Sequence, residues 1–233
     1  TLKKFLTALC TTAFLIPSHA FSTEKLKLIG DQNIITGEKF KETEIGGLSG
    51  LTYDREKNKI LAISDDRSRV NDARFYEFDL KLDEKTFKIT PTEVVILKNK
   101  EGKPFPRMAV DFEGITLFNG SVIISSEGWI NHEPPFDPEL FVFNRDGTYK
   151  SNLEIPEKFL ANKGQENKKG VRDNLAFEGL TSTSDGKTIW VGTEGALNQD
   201  DKVSTPNNTS MLRLIQYKDL KPVKEVAYLL DKV

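Results

Sequence analysis

Asp111-Phe112-Glu113-Gly114-Ile115-Thr116 returns as Ala176-Phe177-Glu178-Gly179-Leu180-Thr181, and in a weaker form as Gly47-Leu48-Ser49-Gly50-Leu51-Thr52. The shared glycines, Gly50, Gly114 and Gly179, stand 64 and 65 residues apart. The sequence downstream of each hexapeptide also returns. A polar turn leads into a hydrophobic run that ends in an acid: Asp65, Glu127 and Glu194. After a loop comes an alternating run, at Ala73–Asp79, Glu139–Phe143 and Met211–Ile215, with a weaker further run at Thr92–Leu97 and Val223–Leu229. No stretch carries a helical period. Short alternating runs between turn residues are strands, and Asn119-Gly120 and Asp185-Gly186 are hairpin turns. A repeat of four antiparallel strands is a propeller blade, so the sequence predicts an all-β chain: a β-propeller of four-stranded blades, with about three blades present. A β-sandwich explains the strands but not the repeat. Closed propellers carry ~4–8 blades, so this is a partial ring. Either the protein continues past Val233, or two copies close the ring.

The N-terminus has a different logic. Lys3 and Lys4 precede an apolar run from Phe5 to Ile16, and Ser18 and Ala20 supply small residues for cleavage. Residues 1–20 are predicted to be a signal peptide, leaving residues 21–233 as the exported domain, periplasmic or secreted. Neither this run nor any later one is long enough for a membrane span. Cys10 lies within the leader, so the mature domain has no cysteine. Disulfides, thiol nucleophiles and zinc–thiolate sites are thereby excluded. His132 is its only histidine. Without Lys3 and Lys4, 31 basic residues face 35 acidic ones, a net charge of −4. That is no footprint for nucleic acid.

Up-and-down strand order places the loop entering each first strand beside the loop leaving each second strand. Glu113 and Glu178 are therefore expected on one rim with Asp65, Glu127 and Glu194. Arg107 and Arg172 each stand six residues ahead of the repeated Glu. Arg67 lies in the polar loop Ser64–Arg69, and Trp129 and His132 lie in the loop after Glu127. Carboxylates without thiols suit a hard cation such as Ca²⁺, and guanidiniums suit the oxygens of a small anionic substrate. That chemistry sets the candidate roles. Glu113, Glu178 and His132 are catalytic candidates. Arg67, Arg107, Arg172 and Trp129 are candidates to hold substrate. Asp65, Glu127 and Glu194 are candidate metal ligands.

The bland reading has comparable weight. A position repeated in successive blades is what architecture alone produces, with each carboxylate bonded to the next blade's N–H groups or paired with the repeated arginine. A lone loop histidine is ordinarily just exposed. Gly47-Leu48-Ser49-Gly50-Leu51 is not a nucleophile elbow, because Leu51 replaces the last glycine and no strand–helix turn is expected. Ser49 instead fills the place of the inner-strand Glu. Asp200 and Asp201 add a polar loop on the same rim.

The set Gly47-Leu48-Ser49-Gly50-Leu51, Asp65-Asp66-Arg67, Asp111-Phe112-Glu113-Gly114-Ile115, Ser126-Glu127-Gly128, Asn174–Leu180 and Thr193-Glu194-Gly195 resembles the phytase-like, "esterase-like activity of phytase" family. The resemblance implies an exported β-propeller hydrolase acting on phosphate or carboxylic esters, with assistance from a metal. The chain lacks the D-A-x-D-D-P-A motif of calcium-dependent β-propeller phytases, since Arg67 rather than proline follows Asp65-Asp66. Phytate is therefore not the expected substrate. The inner-strand Glu-Gly is also similar to the blade start of gluconolactonase-like propellers, which makes a lactonase a weaker option. The competing class is a non-catalytic propeller that binds a ligand or a protein.

Overall fold

The computed structural model describes residues 27–161 and 168–232. The predicted signal peptide lies outside the described residues. A small hairpin, β1 (Lys39–Phe40) with β2 (Thr43–Glu44), leads into three four-stranded sheets. The first holds β3 (Leu48–Asp54), β4 (Lys59–Ser64), β5 (Arg74–Leu82) and β6 (Phe87–Ile96). The second holds β7 (Phe112–Phe118), β8 (Ser121–Ser126), β9 (Glu139–Phe143) and β10 (Tyr149–Asn152). The third holds β11 (Phe177–Ser182), β12 (Thr188–Thr193), β13 (Ser210–Lys218) and β14 (Lys221–Leu230). Each sheet is an antiparallel meander in chain order. A single 3₁₀ turn, Glu157–Phe159, is the only helical piece among the described residues.

The repeat seen in the sequence is thus one sheet per unit. Asn119-Gly120 closes the β7–β8 hairpin with both residues at positive φ, the backbone a tight two-residue turn needs. The outer strands β6 and β14 run further than their apolar cores foretell. Each carries a proline, Pro91 or Pro222, next to a register shift in its pairing. An edge strand tolerates proline there because its outward N–H has no ladder partner to lose.

Packing follows the two-residue period. Val122 and Ile124 of β8, with Phe141 and Phe143 of β9, join Leu61, Ile63 and Phe75 of the first sheet. The alternate residues Ile123, Leu140 and Val142 join Ile189, Val191 and Ile215 of the third. The middle sheet is therefore buried on both faces, and every residue of β8 is buried. Phe105, Phe112 and Phe141 pack edge-on at 5.5–5.6 Å between centroids and anchor the first interface.

The first strands come together: β7 lies against both β3 and β11, and β3 touches β11. Two of the repeated glycines are required by this approach. A Cβ on Gly50 would overlap the Glu113 carbonyl oxygen. One on Gly114 would lie 2.7 Å from the Glu178 carbonyl oxygen and 2.6 Å from the Leu180 Cβ.

Candidate functional site

One backbone bond recurs in all three units and sets the site. The N–H of the acid that ends the second strand donates to the carbonyl at the entry to the first strand: Asp65 to Gly47 at 2.8 Å, Glu127 to Asp111 at 3.0 Å, and Glu194 to Ala176 at 2.8 Å. The expected shared rim is therefore built three times over. Each first strand also slips register at its motif, between Leu48 and Gly50, Phe112 and Ile115, and Phe177 and Leu180. A bulge bends the strand and re-aims a side chain. Here it falls on Ser49, Glu113 and Glu178.

These residues meet in a cleft of about 700 Å³ lined by Asp65, Arg67, Arg69, Asp111, Glu113, Glu127 and Glu178, among others. On its floor, carboxylate oxygens of Asp111, Glu113 and Glu127 all lie within 4.8 Å of one another. Those of Glu127, Glu178 and Glu194 do the same, so Glu127 belongs to both triads. Asp111, Glu113 and Glu127 are buried, whereas Glu194 is exposed.

Burial and crowding set the charge state of this floor. Desolvation, with Glu178, Asp111 and Glu127 nearby, pushes Glu113 up to about 8, although the Ser49 hydroxyl donates to its carboxylate. Desolvation also raises Glu127 to about 7, with Glu178, Asp111 and Glu194 adding to it, while the Ala176 N–H at 2.5 Å opposes the rise. Glu178 is raised by burial and then by Glu194, and Asp65 by burial and then by Asp66. Asp111 is raised by burial despite its arginine partner.

That partner is Arg67, whose Nε donates to Asp111 Oδ1 at 2.5 Å while its Nη2 pairs with Oδ2. Arg67 and Ser68 both sit at φ 53°, a left-handed conformation that costs side-chain-bearing residues energy and gathers at functional loops. The loop is held from below. Asp66 is penalised by burial, but accepts the Asn71 and Val70 N–H groups and pairs with Arg74 at 2.7 Å, which together bring it below the usual carboxylate range. Arg74, 2% exposed, also donates to the Glu44 carbonyl and to the Tyr76 hydroxyl. Arg69 is exposed and lines the cleft.

The structure therefore gathers Asp65, Glu113, Glu127, Glu178, Glu194 and Arg67. It does not gather the remaining sequence-derived candidates with them. Arg107 is exposed and outside the cleft lining. Arg172 donates to the carbonyls of Ala196 and Asp201, at 3.0 and 2.6 Å. His132 is held between Trp129 and Phe136, with centroids at 4.7 and 4.8 Å, and its Nδ1 lies 2.8 Å from the Pro134 carbonyl. Trp129 borders a small void it shares with Arg67 and Asp111. Asp111, which repeat reasoning missed, is part of the cleft, and so is Arg69 of the polar loop Ser64–Arg69.

The donor set fits a hard divalent cation. It is all oxygen, it converges from the second and third repeats, and its like charges are unfavourable without a counter-charge. Ser49 and Ala176 occupy one oxygen each of Glu113 and Glu127, leaving the others available.

Fold and cleft define a repeat-built, all-β protein with an acidic, arginine-rimmed site where its first strands converge. The chain belongs to the phytase-like family described as "esterase-like activity of phytase", whose match covers residues 43–233. It is also similar to an uncharacterized secreted protein of Arthroderma benhamiae, at 25% identity over 115 residues. That match covers 40% of this chain and 21% of the relative, so the matched part is about a fifth of the relative's length. Among the described residues, no helix is long and apolar enough to cross a membrane.

Proposed function

We propose that this is an exported β-propeller hydrolase of phosphate or carboxylic esters that works with a divalent cation, Ca²⁺. The observation that carries the reading is the pair of carboxylate triads sharing Glu127 in the cleft that Arg67 and Arg69 also line. Convergence of β3, β7 and β11 supports the propeller, with the three sheets as blades. The secreted relative and the leader-like residues 1–20 support export.

Glu127 and Glu194, the triad members with no proton to transfer, would hold the cation. A cation held there would supply Lewis-acid polarisation of a phosphoryl or acyl oxygen and a lowered pKa for water. Arg69, exposed at the cleft wall, captures an anionic oxygen of the substrate, with Arg67 behind it. Glu178 lines the cleft and has no hydrogen-bond partner among the described residues. It takes the proton from the attacking water as the new oxygen bond forms. Glu113, whose carboxyl burial and then Glu178 raise to about 8 in the cation-free protein, returns a proton to the leaving oxygen as the ester bond breaks.

A second reading, a non-catalytic binding propeller, is favoured by one set of contacts. Ser49 to Glu113, Ala176 to Glu127 and Arg67 to Asp111 all tie one repeat to the next, so the same residues serve as joints. Chromogenic phosphate and acetate esters, assayed with Ca²⁺ and with chelator, separate the two. The enzymatic reading expects Ca²⁺-dependent turnover that falls at least ~100-fold in Glu178→Gln with the fold intact. Absence of turnover under every metal condition, with no metal bound, leaves the binding reading.

A further inference from the structure

The first unit breaks the repeat at its site position. Ser49 stands where the other units carry Glu113 and Glu178. The joint between β7 and β11 forms with carboxylates at both of those places, so architecture alone does not call for a hydroxyl at Ser49. That hydroxyl donates to a carboxylate oxygen of Glu113. The two groups are held by strands and not by a loop. Each lies at a bulge, and a Cβ on Gly50 would overlap the Glu113 carbonyl oxygen, so the backbones of β3 and β7 are in direct contact. Behind Glu113, a carboxylate oxygen of Asp111 lies within 4.8 Å of it, and Arg67 grips Asp111 through both oxygens. Ser49, Glu113 and the Asp111–Arg67 pair thus follow the order of an activated nucleophile: a hydroxyl, an acceptor for its proton, and a charged group that fixes the acceptor. Glu113, Asp111 and Arg67 all line the cleft. β3 passes by a turn into β4, so Ser49 owes nothing to the strand–helix turn of a nucleophile elbow.

We propose that Ser49 is the nucleophile of this cleft, a further catalytic residue that carries the acyl or phosphoryl group of the ester as a covalent intermediate. The proposal rests on the hydrolase reading and divides its reaction into two steps. In the first, the Ser49 Oγ bonds to the carbonyl carbon or the phosphorus, and its proton passes to Glu113. The ester bond breaks, Glu113 hands that proton to the leaving oxygen, and the alcohol departs. In the second, water attacks the group on Ser49 and gives its proton to Glu178. The bond to Oγ breaks, and Ser49 recovers a proton from Glu178 through water in the open cleft. The acid departs, and both carboxylates end as they began. The two steps use unlike residues at one repeated position, an asymmetry that a strict repeat cannot supply.

The test uses the full chain and reads Ser49 directly. A fluorophosphonate, which loses fluoride to a reactive serine, should leave a single adduct, mapped to Ser49 by peptide mass spectrometry. Mixing with excess p-nitrophenyl acetate should release a burst of about one p-nitrophenol per chain ahead of the steady rate. Ser49→Ala should lose adduct and burst, and its turnover should fall at least ~100-fold, with circular dichroism and melting confirming the folded chain. The wild-type adduct needs no variant, so the test stands even where Ser49→Ala fails to fold. Ester turnover with Ser49 unmodified, or turnover retained by Ser49→Ala, overturns the proposal and leaves the hydrolase reading with water attacking directly. Absence of both turnover and adduct overturns both. An adduct at Ser49 without ester turnover overturns the hydrolase reading alone.

Discussion

In the cation-free protein, Glu113→Gln should remove a stability loss that the wild type suffers between about pH 5 and pH 8.5. Glu113 has its carboxyl raised from 4.5 to about 8 in the folded state, chiefly by burial and then by Glu178 and Asp111. Between those values the folded protein binds more protons than the unfolded chain, so stability falls as pH rises. It is fully present below pH 4.5 and lost through pH 8. At about 1.4 kcal/mol per pH unit of displacement, the face value is about 5 kcal/mol. The cleft is open to water, and screening reduces this to about 2 kcal/mol. For a domain of this size that is ~4–8 °C in melting temperature. Glutamine keeps an oxygen for the Ser49 hydroxyl and carries no charge. Scanning calorimetry in chelator, from pH 5 to pH 8.5, should show the wild type losing several degrees more than the variant. A flat wild-type profile would refute the reasoning. So would a variant destabilised equally at every pH, since Glu113 would then be a neutral joint and not a charge held at a cost.

The same contacts make three further substitutions informative. Arg74→Met takes the charged partner from the half-buried Asp66 and should cost ~1.5–3 kcal/mol in chemical denaturation. Arg69→Ala should leave the melting temperature unchanged while raising the KM for an anionic ester, and an unaltered KM would remove Arg69 from the site. Gly114→Ala should destabilise by at least ~2 kcal/mol, because backbone and the Leu180 Cβ block the new methyl, whereas Gly179→Ala should be nearly neutral.

The repeat made much of this legible. A period near 65 residues located every first strand, and up-and-down order placed five carboxylates on one rim. The same repeat concealed the rest. Asp111 corresponds to Gly47 and Ala176 in the other units, so comparison by repeat leaves it invisible although it stands inside the motif. Arg172 ends on backbone carbonyls, and such partners leave no trace in a sequence. His132 is engaged by its own loop aromatics, which spacing alone does not reveal. The short, polar β10 has too little alternation to register, and Pro91 masks the first half of β6.

The central claim is that the shared carboxylate floor holds a cation that serves ester hydrolysis. Initial rates on a chromogenic phosphate or acetate ester, titrated with Ca²⁺ in the wild type and in Glu127→Gln, test it most directly. A saturable rise in the wild type, abolished by chelator and lost in the variant at equal folded content, is the expected outcome. Rates indifferent to Ca²⁺, or retained by Glu127→Gln, would show that the two triads are joints between sheets and nothing more.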